Sequence, residues 1–232
     1  MTEETCRLAV LIDGENMPAK HAGAIFEEIA NFGDAVLRRV YGNMDVGTAI
    51  GWKDILMEHS IAAYHQPPTS TNKNATDIAL AIDAMDLLHS ARFGGFVLVS
   101  SDSDFSKLAQ RLREHGVQVW GIGDHQTNPA FRVACSRFIE VENLSVGTKD
   151  EPEKTKNVNL NQAYQRISNV LQDTNDPNGW ARLSWVGHQL TQRYPDWDPR
   201  SYGERQLGGV IRKIDRFEEA EENGHRCIRI KK

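Results

Sequence analysis

The sequence has 232 residues, 25% of them charged and 40% hydrophobic, an ordinary soluble balance with room for one α/β domain and a smaller one. Its net charge of −5 argues against wholesale coating of nucleic acid, but that charge is uneven: residues 1–158 hold 15 Lys and Arg against 22 Asp and Glu, residues 159–232 hold 12 against 10. Cys6, Cys135 and Cys227 form no CxxC or Cys/His cluster, which leaves neither a zinc site nor a disulfide framework. LAVLI (8–12) is too short to span a membrane and follows no basic segment of the signal-peptide kind, so a cytoplasmic protein is expected.

In chain order, six β-rich runs come first: RLAVLID (7–13), AVLRRVYG (35–42), IAAYHQ (61–66), GFVLVSS (95–101), VQVWGIG (117–123) and RFIEVE (137–142). Most are continuously apolar, the pattern of strands buried on both faces. Helical stretches separate them. One covers 19–31 after Pro18, a favoured first helical position. A second, 77–91, is expected to present Ile78, Ile82, Met85 and Leu88 or His89 as one face, and a third runs from 105 to Gly116. Asn128 and Pro129 read as the cap and first turn of a short helix. This alternation predicts an α/β fold, a parallel sheet with helices on both sides, whose ligands collect at the carboxyl ends of the strands.

Residues 1–145 read as this first domain and the polar, Pro-containing stretch 146–158 as a linker. Residues 159–232 give three helical patterns (159–173, 183–193, 205–215) and then a terminal hairpin with an Asn223-Gly224 turn. That is the outline of a small winged-helix domain.

Three predicted strand or helix ends carry acids. The first strand stops at Asp13, with Asn16 close behind; the fourth stops at Asp102, with Asp104 in the next turn; Asp77 opens the second helix. Each has a local alternative: Asp102 or Ser103 as a helix cap, Asp104 as a dipole complement, Asp13 before Gly14 as a turn former, Asp77 as a first-turn acid. All four fall on one edge of one sheet. Crowded carboxylates oppose one another's ionisation, and a hard divalent cation relieves that cost while stabilising charge on a phosphoryl oxygen. Lys73 is placed to reach a phosphate or to sit in an exposed loop; Asn16 and Ser100 or Ser101 can hold metal-bound water or a carboxylate, or equally serve as turn or cap residues, and Ser101 is also a candidate substrate contact. Asp83, six residues after Asp77, points elsewhere and reads as a solvated or locally paired acid. His65, His115 and His125 lack ligand spacing, and GIGDH (121–125) is no GxGxxG loop.

VLIDGEN (10–16), KNATDIALAIDAMDLL (73–88) and LVSSDSDF (98–105) closely resemble the signature blocks of NYN domains, in particular the LabA-like group; VYGN and ACSRFIEVENL (134–144) are similar too. The resemblance covers roughly residues 5–145, with Thr76 standing where an apolar residue is commoner. It implies a PIN-like fold, a metal-dependent ribonuclease activity, and a site of Asp13, Asp77, Asp102 and Asp104 supported by Asn16. Residues 179–207, ahead of a basic hairpin, resemble the OST-HTH or LOTUS domain, which implies binding to RNA or to a protein. In that domain Trp180, Leu183, Val186, Leu190 and Tyr194 would mostly build the core, and Arg200, Arg205, Arg212 and Lys213 are candidates for phosphates or solvated helix charges. Glu204 departs from the apolar residue usual there.

The expected function is therefore a Mg²⁺- or Mn²⁺-dependent endoribonuclease acting on RNA, in particular single-stranded RNA, with a C-terminal RNA- or protein-binding module. Two alternatives stand beside it. One is a non-catalytic RNA-binding regulator that keeps the acidic pocket. The other is a metal-dependent phosphatase, which DGEN in place of a DxDx(T/V) block disfavours.

Overall fold

A computed structural model describes residues 5–65, 74–147, 159–222 and 224–231. Lys73, Asn223 and 148–158 of the expected linker lie outside them. The chain divides into two compact units, Met1–Thr148 and Lys149–Lys232.

The first unit is a six-stranded sheet: β1 (Arg7–Asp13), β2 (Asp34–Gly42), β3 (Ala62–His65), β4 (Gly95–Val99), β5 (Gln118–Gly123) and β6 (Arg137–Glu140). Every pairing is parallel, in the order β3-β2-β1-β4-β5-β6. The helices are α1 (Ala22–Ile29), α2 (Ala75–His89), α3 (Ser106–Glu114) and α4 (Pro129–Ala134). After β1 the chain adds strands outward on one side, and from β4 it adds them on the other. The order thus reverses between β1 and β4, where open α/β sheets bind their ligands.

Alternate residues of the strands feed two cores, because successive side chains point to opposite faces. Ala9, Leu11, Tyr41, Phe96, Leu98, Val119 and Phe138 meet Leu80, Ala84 and Leu87 of α2, Leu108 and Leu112 of α3, and Phe131 of α4. On the other face, Leu8, Val10, Ile12, Val97, Val99 and Ile122 meet Ile25 and Ile29 of α1, with Met17 and Trp52. The Trp52 indole donates to the Met17 carbonyl at 2.8 Å, which satisfies its one polar atom in the core.

Three expectations need correction. The helix after Pro18 begins as a 3-10 turn, Ala19–His21, before α1. In α2, Ile78 and Ile82 are 54% and 59% exposed, and the inward residues are Thr76, Leu80, Ala84, Leu87 and Leu88. Apolar residues occupy nearly every side of this helix, so periodicity alone marks no face. The terminal hairpin is also part of a three-stranded sheet.

The second unit packs α5 (Leu160–Leu171), α6 (Leu183–Arg193) and α7 (Leu207–Lys213) against strands β7 (Ala181–Arg182), β8 (Phe217–Glu222) and β9 (His225–Ile230), ordered β7-β9-β8. Val186 and Leu190 are buried in its core, Leu183 and Tyr194 pack at its margin, and Trp180 lies under the Arg229 guanidinium.

Leu11, on the middle of a central strand, has no exposed surface. Leu11→Ala is expected to cost about 3 kcal/mol, read as a lower urea midpoint with an unchanged m-value.

Candidate functional site

The carboxyl ends of β1 and β4 lie side by side, with Ile12 opposite Val99. Asp13 ends β1 and is only 1% exposed. Its Oδ1 accepts the backbone N–H groups of Glu15 and Asn16, both at 3.2 Å. Its Oδ2 accepts the Asn16 side-chain amide at 2.6 Å and the Ser100 hydroxyl at 2.8 Å. Burial pushes the Asp13 carboxyl above its usual range, and these donors pull it partly back. Gly14 follows because a Cβ there would stand 2.8 Å from Val40 and 3.0 Å from the Tyr41 carbonyl oxygen. Asn16 and Ser100, considered from sequence as holders of water or of a carboxylate, hold a carboxylate.

Beyond β4, the Ser100 hydroxyl also accepts the Asp102 N–H at 3.0 Å, so one side chain links Asp13 to the next acid. Asp102, not Ser103, caps the 3-10 turn Ser103–Phe105 that leads into α3, by accepting the Asp104 N–H at 2.9 Å. Ser101, a candidate substrate contact, accepts the Asp124 N–H at 2.9 Å, so its oxygen already serves the loop after β5.

Asp77 sits in the first turn of α2 with its carboxyl half-buried. Its pKa is raised to about 6, first by burial and then by the charges of Asp13, Asp102, Glu15 and Asp104. The four acids singled out from sequence therefore share one electrostatic site. Glu15 is a fifth that the sequence reading did not single out; its position in DGEN, two residues from Asp13, was the signal available. Its Oε1 accepts the Asn43 N–H at 3.0 Å and the Thr76 hydroxyl at 3.1 Å. Asp83 is locally paired, as its spacing implied: it accepts from Arg39 at 2.5 Å and from the Tyr41 hydroxyl.

Asp45, Asp83, Asp196, Asp198 and Asp215 all have ion-pair partners. Among the described residues, Asp13, Asp77, Asp102 and Asp104 have none. Hard carboxylate oxygens suit Mg²⁺ or Mn²⁺ held through one or two direct ligands and water. A closed protein cage does not fit: among the described residues no three His, Cys, Asp or Glu side chains are grouped to hold a metal.

A model of the NYN domain matches residues 7–144. The chain belongs to the NYN family. A model of the OST-HTH/LOTUS domain matches residues 160–228. An uncharacterized protein of Methanocaldococcus jannaschii is 32% identical over 138 residues, which cover 58% of this chain and 53% of that protein. The chain thus spans about half the length of this curated relative. The crystal structure of a protein of unknown function from Vibrio parahaemolyticus is similar in fold, with a TM-score of 0.50 and 17% identity over 60% of this chain and 95% of the other. NYN membership gives the first unit a nuclease-like, PIN-like fold, and the second unit belongs to a class that binds RNA or proteins. No helix among the described residues is long and apolar enough to cross a membrane.

In the LOTUS unit the four cationic candidates divide. Arg200 is clamped on buried Asp198, its Nε at 2.9 Å from one carboxylate oxygen. Lys213 donates to the carbonyls of Tyr202 and Gly203 and pairs with Glu204 at 3.0 Å, which accounts for an acid at position 204. Arg205 and Arg212 are exposed. The hairpin expected to be basic carries cross-strand pairs, Arg229 with Glu218 at 2.6 Å and Arg226 with Glu219 at 2.5 Å, which neutralise much of its charge.

The raised Asp77 pKa gives a signed prediction. An acid whose folded pKa lies above 3.8 binds its proton more tightly when folded, so its favourable contribution is full below about pH 4 and lost as pH rises through about 6. In metal-free protein, Asp77→Asn should raise the melting temperature above pH 6 and change it little at pH 4. Discounted for solvent screening, the gain is on the order of 1 kcal/mol.

Proposed function

We propose that the NYN unit is a divalent-metal-dependent ribonuclease that hydrolyses phosphodiester bonds of single-stranded RNA with Mg²⁺ or Mn²⁺, and that it works in the cytoplasm. What supports the reading is that Asp77, in the first turn of α2, feels the charges of Asp13, Asp102 and Asp104 at the ends of β1 and β4, and that none of the four has an ion-pair partner among the described residues. Asp13 and Asp102 would hold the ion directly. When bound, it supplies positive charge for a phosphoryl oxygen and a lowered pKa for water. Asn16 and Ser100 keep the Asp13 carboxylate fixed in orientation, and Asp77 and Asp104 position water beside it. Lys73 is proposed as a phosphate contact and Ser101 as a polar contact of the same strand.

Residues 146–158 act in this proposal as a linker to the LOTUS unit, which brings RNA to the nuclease or binds a protein. Labelled single-stranded RNA incubated with Mn²⁺, Mg²⁺ or EDTA tests the reading. Cleavage should need the metal and be lost in Asp102→Asn, with the variant's circular dichroism unchanged. Parent protein that cleaves equally well in EDTA, or a fully active variant, would falsify it.

The membership of the second unit in an RNA- or protein-binding class supports a second reading. This is a non-catalytic RNA-binding regulator, marked by RNA binding that persists in EDTA with no cleavage under any metal.

Binding by the LOTUS unit should rest on its exposed cations. Arg205→Ala and Arg212→Ala are each expected to weaken RNA binding and reduce the slope of log K against log salt by about 1. Arg200→Ala should instead destabilise the unit, because it strips a guanidinium from the buried Asp198 carboxylate. Filter binding across a salt series and thermal melts separate the two outcomes.

A further inference from the structure

Three segments far apart in sequence meet on one carboxylate that the proposed chemistry does not use. Glu15 lies in the turn after β1, where its own N–H is held by Asp13 at 3.2 Å. From there it accepts the Asn43 N–H beyond β2 and the Thr76 hydroxyl in the first turn of α2, both on Oε1. Its stem passes over Gly42, where φ is +150° and an added Cβ would stand 3.1 Å from Glu15 Cγ. Thr76 is 5% exposed, so its hydroxyl depends on a protein acceptor.

The start of α2 lacks the usual local support. Its N-cap residue, Asn74, makes no side-chain cap bond. The donors of a helix's first turn are normally met by such a cap, and an anion near that end is favourable. Here a carboxylate from a distant turn stands at that end, 61 residues away in sequence.

We propose that Glu15 and Thr76 form a clasp that sets the first turn of α2 against the end of β1 and so positions Asp77 beside Asp13. Both are positioning residues: Thr76 supplies the donor and Glu15 the acceptor, and neither touches the substrate. The clasp also gives the buried hydroxyl at position 76 its acceptor. An apolar side chain there has nothing to give Glu15.

The consequence for metal and RNA rests on the nuclease reading; the clasp itself does not. Two measurements on the full-length protein keep the two apart. Hydrogen exchange of amides 75–79 in metal-free protein should be about 10-fold faster in Thr76→Val and Glu15→Ala, and near the parent rate in Thr76→Ser. Mn²⁺ affinity and single-turnover RNA cleavage should each fall about 10-fold in the same two variants. Thr76→Ser should stay near the parent in exchange, Mn²⁺ affinity and cleavage, and Glu15→Gln should keep the parent's exchange rate, because both keep the hydrogen bond.

If Glu15 instead binds the metal, Glu15→Gln will be as damaging as Glu15→Ala, and Thr76→Val will bind Mn²⁺ as the parent does. That pattern, or exchange at 75–79 unchanged in Thr76→Val, overturns the clasp. Faster exchange in Thr76→Val with no RNA cleavage by the parent would uphold the clasp and remove the nuclease reading.

Discussion

The structure turns on the burial of Asp13. A carboxylate sealed from solvent at the end of a central strand is unfavourable unless donors surround it. The donors come from two places: the turn that follows β1, through Glu15 and Asn16, and the end of β4, through Ser100. Satisfying that one side chain therefore fixes the turn and joins β1 to β4 where the strand order reverses. Ser100 carries the constraint onward by accepting from the Asp102 backbone, and Asp102 caps the turn that starts α3. The hydrogen bonds that place the acids also close the fold around them.

Placement on the sheet does not remove the repulsion between the acids. Two turns further along α2, Asp83 shows how the same chain handles an acid it needs only for structure: Arg39 neutralises it and Tyr41 donates to it. Burial and the Asp83 charge both push the Tyr41 phenol upward, so it remains a donor at every physiological pH. Asp83 fastens α2 to β2, while Asp77 on the same helix is carried toward other negative charges. A fold selected for stability alone would pair both. Asp77, which has no ion-pair partner among the described residues, is at the carboxyl edge a local conflict of the kind expected at functional sites.

Much of this was legible in the sequence. Strands buried on both faces, as β1 and β4 are, leave continuous apolar runs, and acids ending these two runs pointed to one edge; β3, exposed along its length, was legible from its place in the strand–helix alternation instead. What periodicity could not reach was set by contacts distant in sequence. The inward face of α2 is an example: nearly every side of the helix is apolar, and Thr76 and Asp83 orient it through Glu15 and Arg39. Glu15 escaped notice because its partners lie 28 and 61 residues away. Strand β7 has only two residues, too few for a pattern, and exists because Ala181 and Arg182 pair with β9.

The same limit applies to charge. By composition the second half is slightly basic, and its hairpin reads as a cationic wing. Folding places Glu218 opposite Arg229 and brings Glu219 diagonally within reach of Arg226, so acid and base on neighbouring strands cancel. Arg200 is held on buried Asp198, and Lys213, though exposed, is tied to Glu204 and to the carbonyls of Tyr202 and Gly203. Long-range attraction for a polyanion falls with each cation paired this way, because a phosphate must first displace the carboxylate. Exposed Arg205 and Arg212 lie just before and near the end of α7, so these two candidates sit at that helix rather than on the wing.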